Sequence, residues 1–274
     1  MGVPKHTNPK VPEGISSGHE HPLAEVAKSS AIVIALFAVV VVGSYVAVRL
    51  VTPLLPFAWE RALTQRMPQA GIDTDSAESP TQRYLTSLTA RVAAASDLPE
   101  DMVITVHYVE GDTVNAFATL GGHIVVFEGL WTLLNSENAA AMLLGHEIAH
   151  VRNRDPILSA SGALLASLAA GILLDDVGLV DTLVDMGSLL IALHFSREQE
   201  TQADSDAARA VIKLYGHLNG ATDLYARIQT VAKEVKQPPA FLASHPHSEE
   251  RIANLRRQAS RNGWTFQGDK KPLP

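Results

Sequence analysis

Two histidines four residues apart, His146 and His150, flank Glu147 in the stretch from Leu143 to Val151. On a helix, residues four apart lie on one face, so both imidazoles can hold a single metal ion. Glu147 sits one step round, within reach of a water beside that ion, where a hydrolase needs a general base. Two imidazoles leave a zinc site short of one protein ligand. Further along, Glu200 and Asp204 are again four apart and share a face. Glu200 can supply the third ligand; its nearest rival, Glu198, lies on a different face from Asp204. Asp204 can accept a hydrogen bond from the free N–H of a ligand imidazole. Taken singly, each pair also fits a plain charged helix surface. Together they point to zinc-assisted hydrolysis, with one Zn2+ per chain as cofactor.

Composition removes competing chemistries. The chain has no Cys, so thiolate ligands, a cysteine nucleophile and disulfides are excluded. No nucleophile-elbow pattern is present for a serine hydrolase. A net charge of -7 and the lack of a basic stripe argue against a nucleic-acid partner.

The elements that must position these residues follow from patterning. Residues are 46% hydrophobic and 19% charged, which suggests membrane contact. Ala31 to Val48 is an almost unbroken apolar run, about 27 Å long as a helix, close to the hydrocarbon thickness of a bilayer. It lies too deep in the chain, and lacks the small-residue cleavage site, for a signal peptide. The expected organisation is a polar tail over 1–28, a transmembrane helix over 29–49 and a juxtamembrane linker over 50–80. A catalytic domain over 81–260 and a C-terminal tail over 261–274 follow. Basic residues flank the span on both sides (Lys5, Lys10 and Lys28 before; Arg49, Arg61 and Arg66 after), so charge does not choose an orientation. Pro56 to Arg61 supplies aromatics suited to a membrane interface.

Within the domain, 81–95 has helical spacing and 102–109 reads as a strand, with Gly111-Asp112 turning the chain back. Gly121-Gly122 precedes a β-branched run. In a peptidase, Gly122, His123, Ile124 and Val125 could pair with an extended substrate through main-chain hydrogen bonds; a structural hairpin fits equally. Asn135 or Ser136 caps the helix carrying His146, and Asp155-Pro156 ends it. Gly145 could let another element pack close. The greasy segment 157–195 forms either a membrane-embedded hairpin or a helical hairpin over the active-site helix. Asp181 and Asp185 favour the second, since a charge at bilayer centre costs ~3 kcal/mol.

The stretch His146-Glu147-Ile148-Ala149-His150-Val151-Arg152-Asn153-Arg154-Asp155, followed by Ser196-Arg197-x-x-Glu200-x-x-Ala203-Asp204, resembles the HtpX-type and CAAX-prenyl-protease superfamily of zinc metallopeptidases, the gluzincins. Asn115-Ala116-Phe117-Ala118 with Gly121-Gly122, then Gly129-Leu130, resembles that family's segment leading into its edge strand. Ser244-His245-Pro246-His247-Ser248-Glu249-Glu250-Arg251-Ile252 resembles its C-terminal element. The likeness runs in order from Pro80 to Arg257.

The resemblance implies an α+β, mainly α fold: a zincin-type domain with a small β-sheet and an active-site helix, preceded here by one transmembrane helix. It implies a membrane-anchored zinc metalloendopeptidase in protein quality control, acting on protein or peptide substrates, single-pass in a bacterial inner membrane. The other reading is a zinc-binding envelope assembly or chaperone factor with latent peptidase activity. The resemblance places His245 and Arg251 near the site. Either could donate to the oxyanion; His245 could instead occupy zinc's open position as a switch, and Arg251 could pair with Asp204. Two departures stand out. Relatives usually carry two spans before the domain, and many have Glu where Gln202 stands.

Overall fold

The structure, a computed structural model, describes residues 22–64, 79–174, 195–234, 239–246 and 248–274. It divides after Ser44 into two compact units. Helix α1 (Pro22–Val51) carries the apolar run and extends past both expected ends. The stretch Leu23–Leu54 is long and apolar enough to cross a membrane, and none of its most apolar 18-residue window is buried against the described protein, unlike a core helix. The start of the expected polar tail, residues 65–78 of the linker and residues 175–194 of the greasy hairpin lie outside the described residues.

Part of the expected linker is built into the second unit. Helix α2 (Phe57–Thr64) buries Phe57 and Glu60. Glu60 Oε1 accepts the Gly121 N–H at 3.0 Å, and Oε2 faces Arg154 Nε at 3.1 Å. The Arg154 guanidinium lies over the Phe57 ring. Burial pushes the Glu60 carboxyl up, opposed by the Gly121 N–H and by Arg154.

Helix α3 (Pro80–Ala95) starts with Ser79, whose side chain accepts the Gln82 N–H, and with proline in its first turn, where no N–H is needed. It buries Leu85, Leu88 and Val92. The sheet has three strands, β1 (Thr105–Val109), β2 (Ala116–Ala118) and β3 (His123–Phe127), in the order β1-β3-β2. Strand β3 pairs parallel with β1 and antiparallel with β2.

This corrects the expected substrate strand. His123 pairs with Thr105, Ile124 with Val106 and Ala118, and Val125 with His107 and Phe117. Gly122 is in the turn, at φ +85°. A strand paired on both sides has no edge to offer. The sheet's edges belong to β1 and β2; on β1 the Gln82 side chain donates to the Val106 carbonyl and accepts the Tyr108 N–H, which leaves β2 as the more open edge. The Phe127 N–H bonds to the Asn115 carbonyl and the Thr119 N–H to the His123 carbonyl. By alternation, Ala116 and Ala118 turn their main-chain groups away from β3.

After the short α4 (Glu128–Trp131), Ser136 caps α5 (Glu137–Arg152), accepting the Ala139 N–H at 3.3 Å. Helix α5 is the core of the unit: all but its last residue are buried. A Cβ on Gly145 would lie 3.1 Å from Cα and 3.2 Å from Cβ of Ala207, so its absence lets α7 (Arg197–Tyr215) close on α5. The remaining helices are α6 (Asp155–Leu174), α8 (Asp223–Glu234), α9 (Ala240–Ser244) and α10 (Ser248–Asn262). The expected C-terminal tail is packed: the Glu137 N–H donates to the Lys271 carbonyl, and Trp264, Phe266 and Leu273 lie against the core.

Glu137 fastens the first turn of α5. It accepts hydrogen bonds from Tyr84 Oη (2.6 Å), Arg91 Nη1 (3.1 Å) and Tyr215 Oη (3.0 Å). Burial alone would raise this carboxyl, but those donors outweigh it and hold it down to about 2. A folded value below the unfolded one stabilises above pH about 4.5, and that stabilisation is lost as pH falls towards about 2. Glu137→Gln should therefore lower the urea midpoint at pH 7, and the gap from wild type should narrow as pH drops from 5 to about 3. A gap independent of pH would contradict this.

Candidate metal centre

Helix α5 presents His146 and His150 with their Nε2 atoms 3.0 Å apart. The capping box of Ser196 and Gln199 starts α7 so that Glu200 lies in its first turn, facing them. Glu200 Oε1 is 3.4 Å from His150 Nε2, and Oε2 is 3.6 Å from His146 Nε2. His245, directly after α9, places Nδ1 2.9 Å from Glu200 Oε1 and 3.2 Å from His146 Nε2. All four residues are buried, with these ligand atoms within 4.8 Å of one another.

The cluster suits a tetrahedral metal. Bonds of 2.0–2.1 Å, as zinc makes, set ligand atoms about 3.3 Å apart. The contacts above straddle that spacing. Tautomers agree. His146 Nδ1 lies 3.0 Å from Asp204 Oδ1, and His150 Nδ1 lies 2.7 Å from Asp155 Oδ2. Each carboxylate fixes the ring proton on Nδ1, so both Nε2 lone pairs point at one spot.

Charge favours a cation too. Burial would raise Glu200, but His245 and Arg251 beside it outweigh that and hold its carboxyl well below the usual range. Asp204 is held down likewise, burial being outweighed mainly by Arg251. Burial and then Arg251 push His146 down. Burial also acts to lower His150, but Asp155 and Glu200 prevail and lift it to about 10, so a metal would displace a proton there.

Glu147 stands apart. It is fully buried and, among the described residues, neither carboxylate oxygen has a hydrogen-bond partner. The approach recorded for it is His245 Nε2, at 3.7 Å from Oε1. A carboxylate in this place, beside a ligand cluster, is positioned for a general base.

Arg251, on α10, donates through Nε and Nη2 to both oxygens of Asp204, at 2.8 and 2.7 Å. Nη2 also donates to Tyr225 Oη, which in turn donates to Asp204 Oδ1 at 2.8 Å. Nη1 lies 2.6 Å from Glu200 Oε2 as an ion pair, without hydrogen-bond alignment. Of the two roles open to it, this geometry carries the pairing one: Nε and Nη2 face Asp204 and Tyr225, with Nη2 also 3.1 Å from His146 Nδ1, while Nη1 has no hydrogen-bond partner among the described residues and stays available as a donor. His247 lies outside the described residues.

Three residues here carry no clear sequence signal. Asp155 closes the motif quoted above, but its expected role is only that of a helix stop. In fact α5 ends at Arg152, Arg154 turns the chain at φ +62°, and Asp155 opens α6, bonded to His150 and to Gln199 Nε2. Phe195 stacks on His150 with ring centroids 4.0 Å apart. Tyr225 reaches the site from α8. Asp155→Asn should weaken metal affinity by about 10–100-fold, measured by zinc competition against a chelating indicator. Wild-type affinity in that variant would show that the contact does not orient the ring.

Comparison with known proteins agrees with this geometry. The family model described as Peptidase family M48 matches residues 79–259. The chain is similar to the mitochondrial metalloendopeptidase OMA1 of Schizosaccharomyces pombe, 30% identical over 180 residues, 64% of this chain and 52% of that protein. It is similar to the beta-barrel assembly-enhancing protease of Escherichia coli (strain K12), 25% identical over 169 residues, 56% of this chain and 34% of that one. The protease HtpX homolog of Desulfatibacillum aliphaticivorans is 28% identical over 229 residues, 68% of this chain and 72% of that protein. The chain spans only 52% and 34% of the first two, which extend well beyond the shared region.

Proposed function

Since the chain belongs to peptidase family M48, we propose that it is a membrane-tethered zinc metalloendopeptidase acting on exposed or misfolded protein segments. The observation that carries this is Glu147, buried with both oxygens unpartnered beside His146, His150 and Glu200. His146 Nε2, His150 Nε2 and a Glu200 oxygen would hold the metal. A zinc ion bound there would supply a water of lowered pKa and polarisation of the scissile carbonyl. Glu147 takes the proton of the attacking water and delivers it to the leaving amine. Asp204 and Asp155 keep the two imidazoles aligned, and Arg251 braces Asp204 and Glu200 from behind.

The outward groups of Ala116 and Ala118 on β2 suit an extended substrate strand. That edge is partly engaged: the Phe241 N–H donates to the Val114 carbonyl at 3.1 Å. The same segment inserts His245 into the ligand cluster. Were zinc held by His146, His150 and Glu200, His245 would stand where a substrate carbonyl has to approach, and it would have to withdraw for the substrate to enter.

His245 is also the observation that favours the second reading, an envelope assembly factor whose peptidase activity stays latent. The name of the Escherichia coli relative is in keeping with such a setting. Its apolar helix makes the protein a membrane protein; our reading is single-pass, in a bacterial inner membrane. Chelation with phenanthroline should abolish casein cleavage by the full-length protein in detergent, and added zinc should restore it. A zinc-loaded chain that leaves casein intact would favour latency; cleavage insensitive to chelation would overturn the metallopeptidase reading.

A further inference from the structure

Helix α2 is patterned inside out. Its inner face buries Phe57 together with the acid Glu60, clamped to Gly121 and Arg154. Its outer face carries Ala58, Trp59, Arg61, Ala62 and Leu63, all exposed. Trp59 and Leu63, four apart and so stacked on one face, are 67% and 44% exposed. A surface helix in water normally places its acids outward and its aromatics inward.

The apolar surface continues on both sides of α2. Leu50 and Leu54, at the end of the apolar span, are 67% and 80% exposed, and α2 starts at Phe57. Residues from Tyr45 onward belong to the same compact unit as α2. Val103 is 50% exposed; its carbonyl packs against Gly122 as Thr64 of α2 packs against Gly121, so it borders the same surface. Patches of this kind on soluble chains mark contact surfaces.

We infer that the outer face of α2, with Leu54 and Val103, is a docking surface for the lipid bilayer itself. The occupant is identified by continuity: the face follows directly on a helix long and apolar enough to cross a membrane. Its chemistry agrees. A tryptophan and a leucine reach the acyl boundary, and Arg61, the only charged group of the outer face, meets lipid phosphate. Because Glu60 and Phe57 lock the inner face to Gly121 and Arg154, docking fixes the catalytic unit at a set height above the membrane. This inference rests on the reading of α1 as a membrane span.

The chain has no Cys, so single cysteines can be labelled uniquely in the full-length protein. Nitroxides at Ala62→Cys, which keeps Trp59 and Leu63, and at Leu63→Cys would be read in phosphatidylcholine–phosphatidylglycerol nanodiscs by power saturation against oxygen and a water-soluble nickel chelate. Both should lie about 5–10 Å below the phosphates, with Glu234→Cys fully open to nickel. Nickel access at 62 and 63 equal to that at 234 overturns the proposal. Dipolar broadening that disappears on dilution with unlabelled chain also overturns it, since the occupant is then a second copy. A label at Val40→Cys tests the span separately: depth at 40 with open access at 62 and 63 sinks the docking surface alone.

Discussion

Glu147→Gln should lower kcat for casein by about 10²–10⁴-fold, the usual worth of a general base, while zinc content and KM stay at wild-type values. Glutamine matches glutamate in shape but accepts no proton at neutral pH. Glu147 is not one of the four clustered ligand residues, so the metal should remain. Both of its oxygens lack hydrogen-bond partners, so the swap breaks no such bond and removes a buried charge. The fold should therefore be as stable as wild type or slightly more so. Parallel kinetics and elemental analysis decide it. A kcat within about tenfold of wild type would move the base elsewhere, and loss of zinc would make Glu147 a ligand.

The largest stability effect should come from Arg251→Met. Arg251 is 3% exposed and compensates two buried carboxylates, Asp204 by a two-pronged hydrogen bond and Glu200 by an ion pair. Removing one partner of a buried pair costs about 3–5 kcal/mol, well above the ~1 kcal/mol of a typical substitution. Methionine fills most of the volume, so the loss reports charge more than packing. The urea midpoint of the detergent-solubilised chain should fall accordingly, and metal affinity with it. Adding Asp204→Asn to Arg251→Met should recover part of the midpoint, because one stranded charge is gone. An unchanged midpoint in the single variant would contradict the bracing role.

The two residue pairs that organise the site were legible because they are local. His146 with His150, and Glu200 with Asp204, obey helical spacing, which any helix through them must respect. Ser136 as a cap and Gly145 as a close-approach position were legible for the same reason. What sequence could not supply is set by contacts distant in the chain or by single backbone torsions. Asp155 reaches His150 because Arg154 adopts a left-handed conformation, which nothing in its neighbours announces. Tyr225 reaches Asp204 only through the packing of α8 on the core.

The substrate strand failed through topology. Alternation identifies 123–127 as a strand, but only the order β1-β3-β2 shows that β3 is interior, and only the Gln82 side chain lying on β1 singles out β2 as the open edge. The C-terminal segment shows no periodicity, yet it is ordered by main-chain hydrogen bonds to Glu137 and Leu218. Glu60 read as part of a linker; its burial depends on Arg154, far along the chain.

The central claim is that His146, His150 and Glu200 hold one zinc ion. X-ray absorption at the zinc edge on the full-length protein tests it directly. The expected spectrum is a single shell of nitrogen and oxygen at about 2.0–2.1 Å, with imidazole outer-shell features that weaken, and zinc that is lost, in His150→Ala. A wild-type chain that retains no zinc after dialysis, or a His150→Ala chain with an unchanged spectrum and stoichiometry, would contradict it.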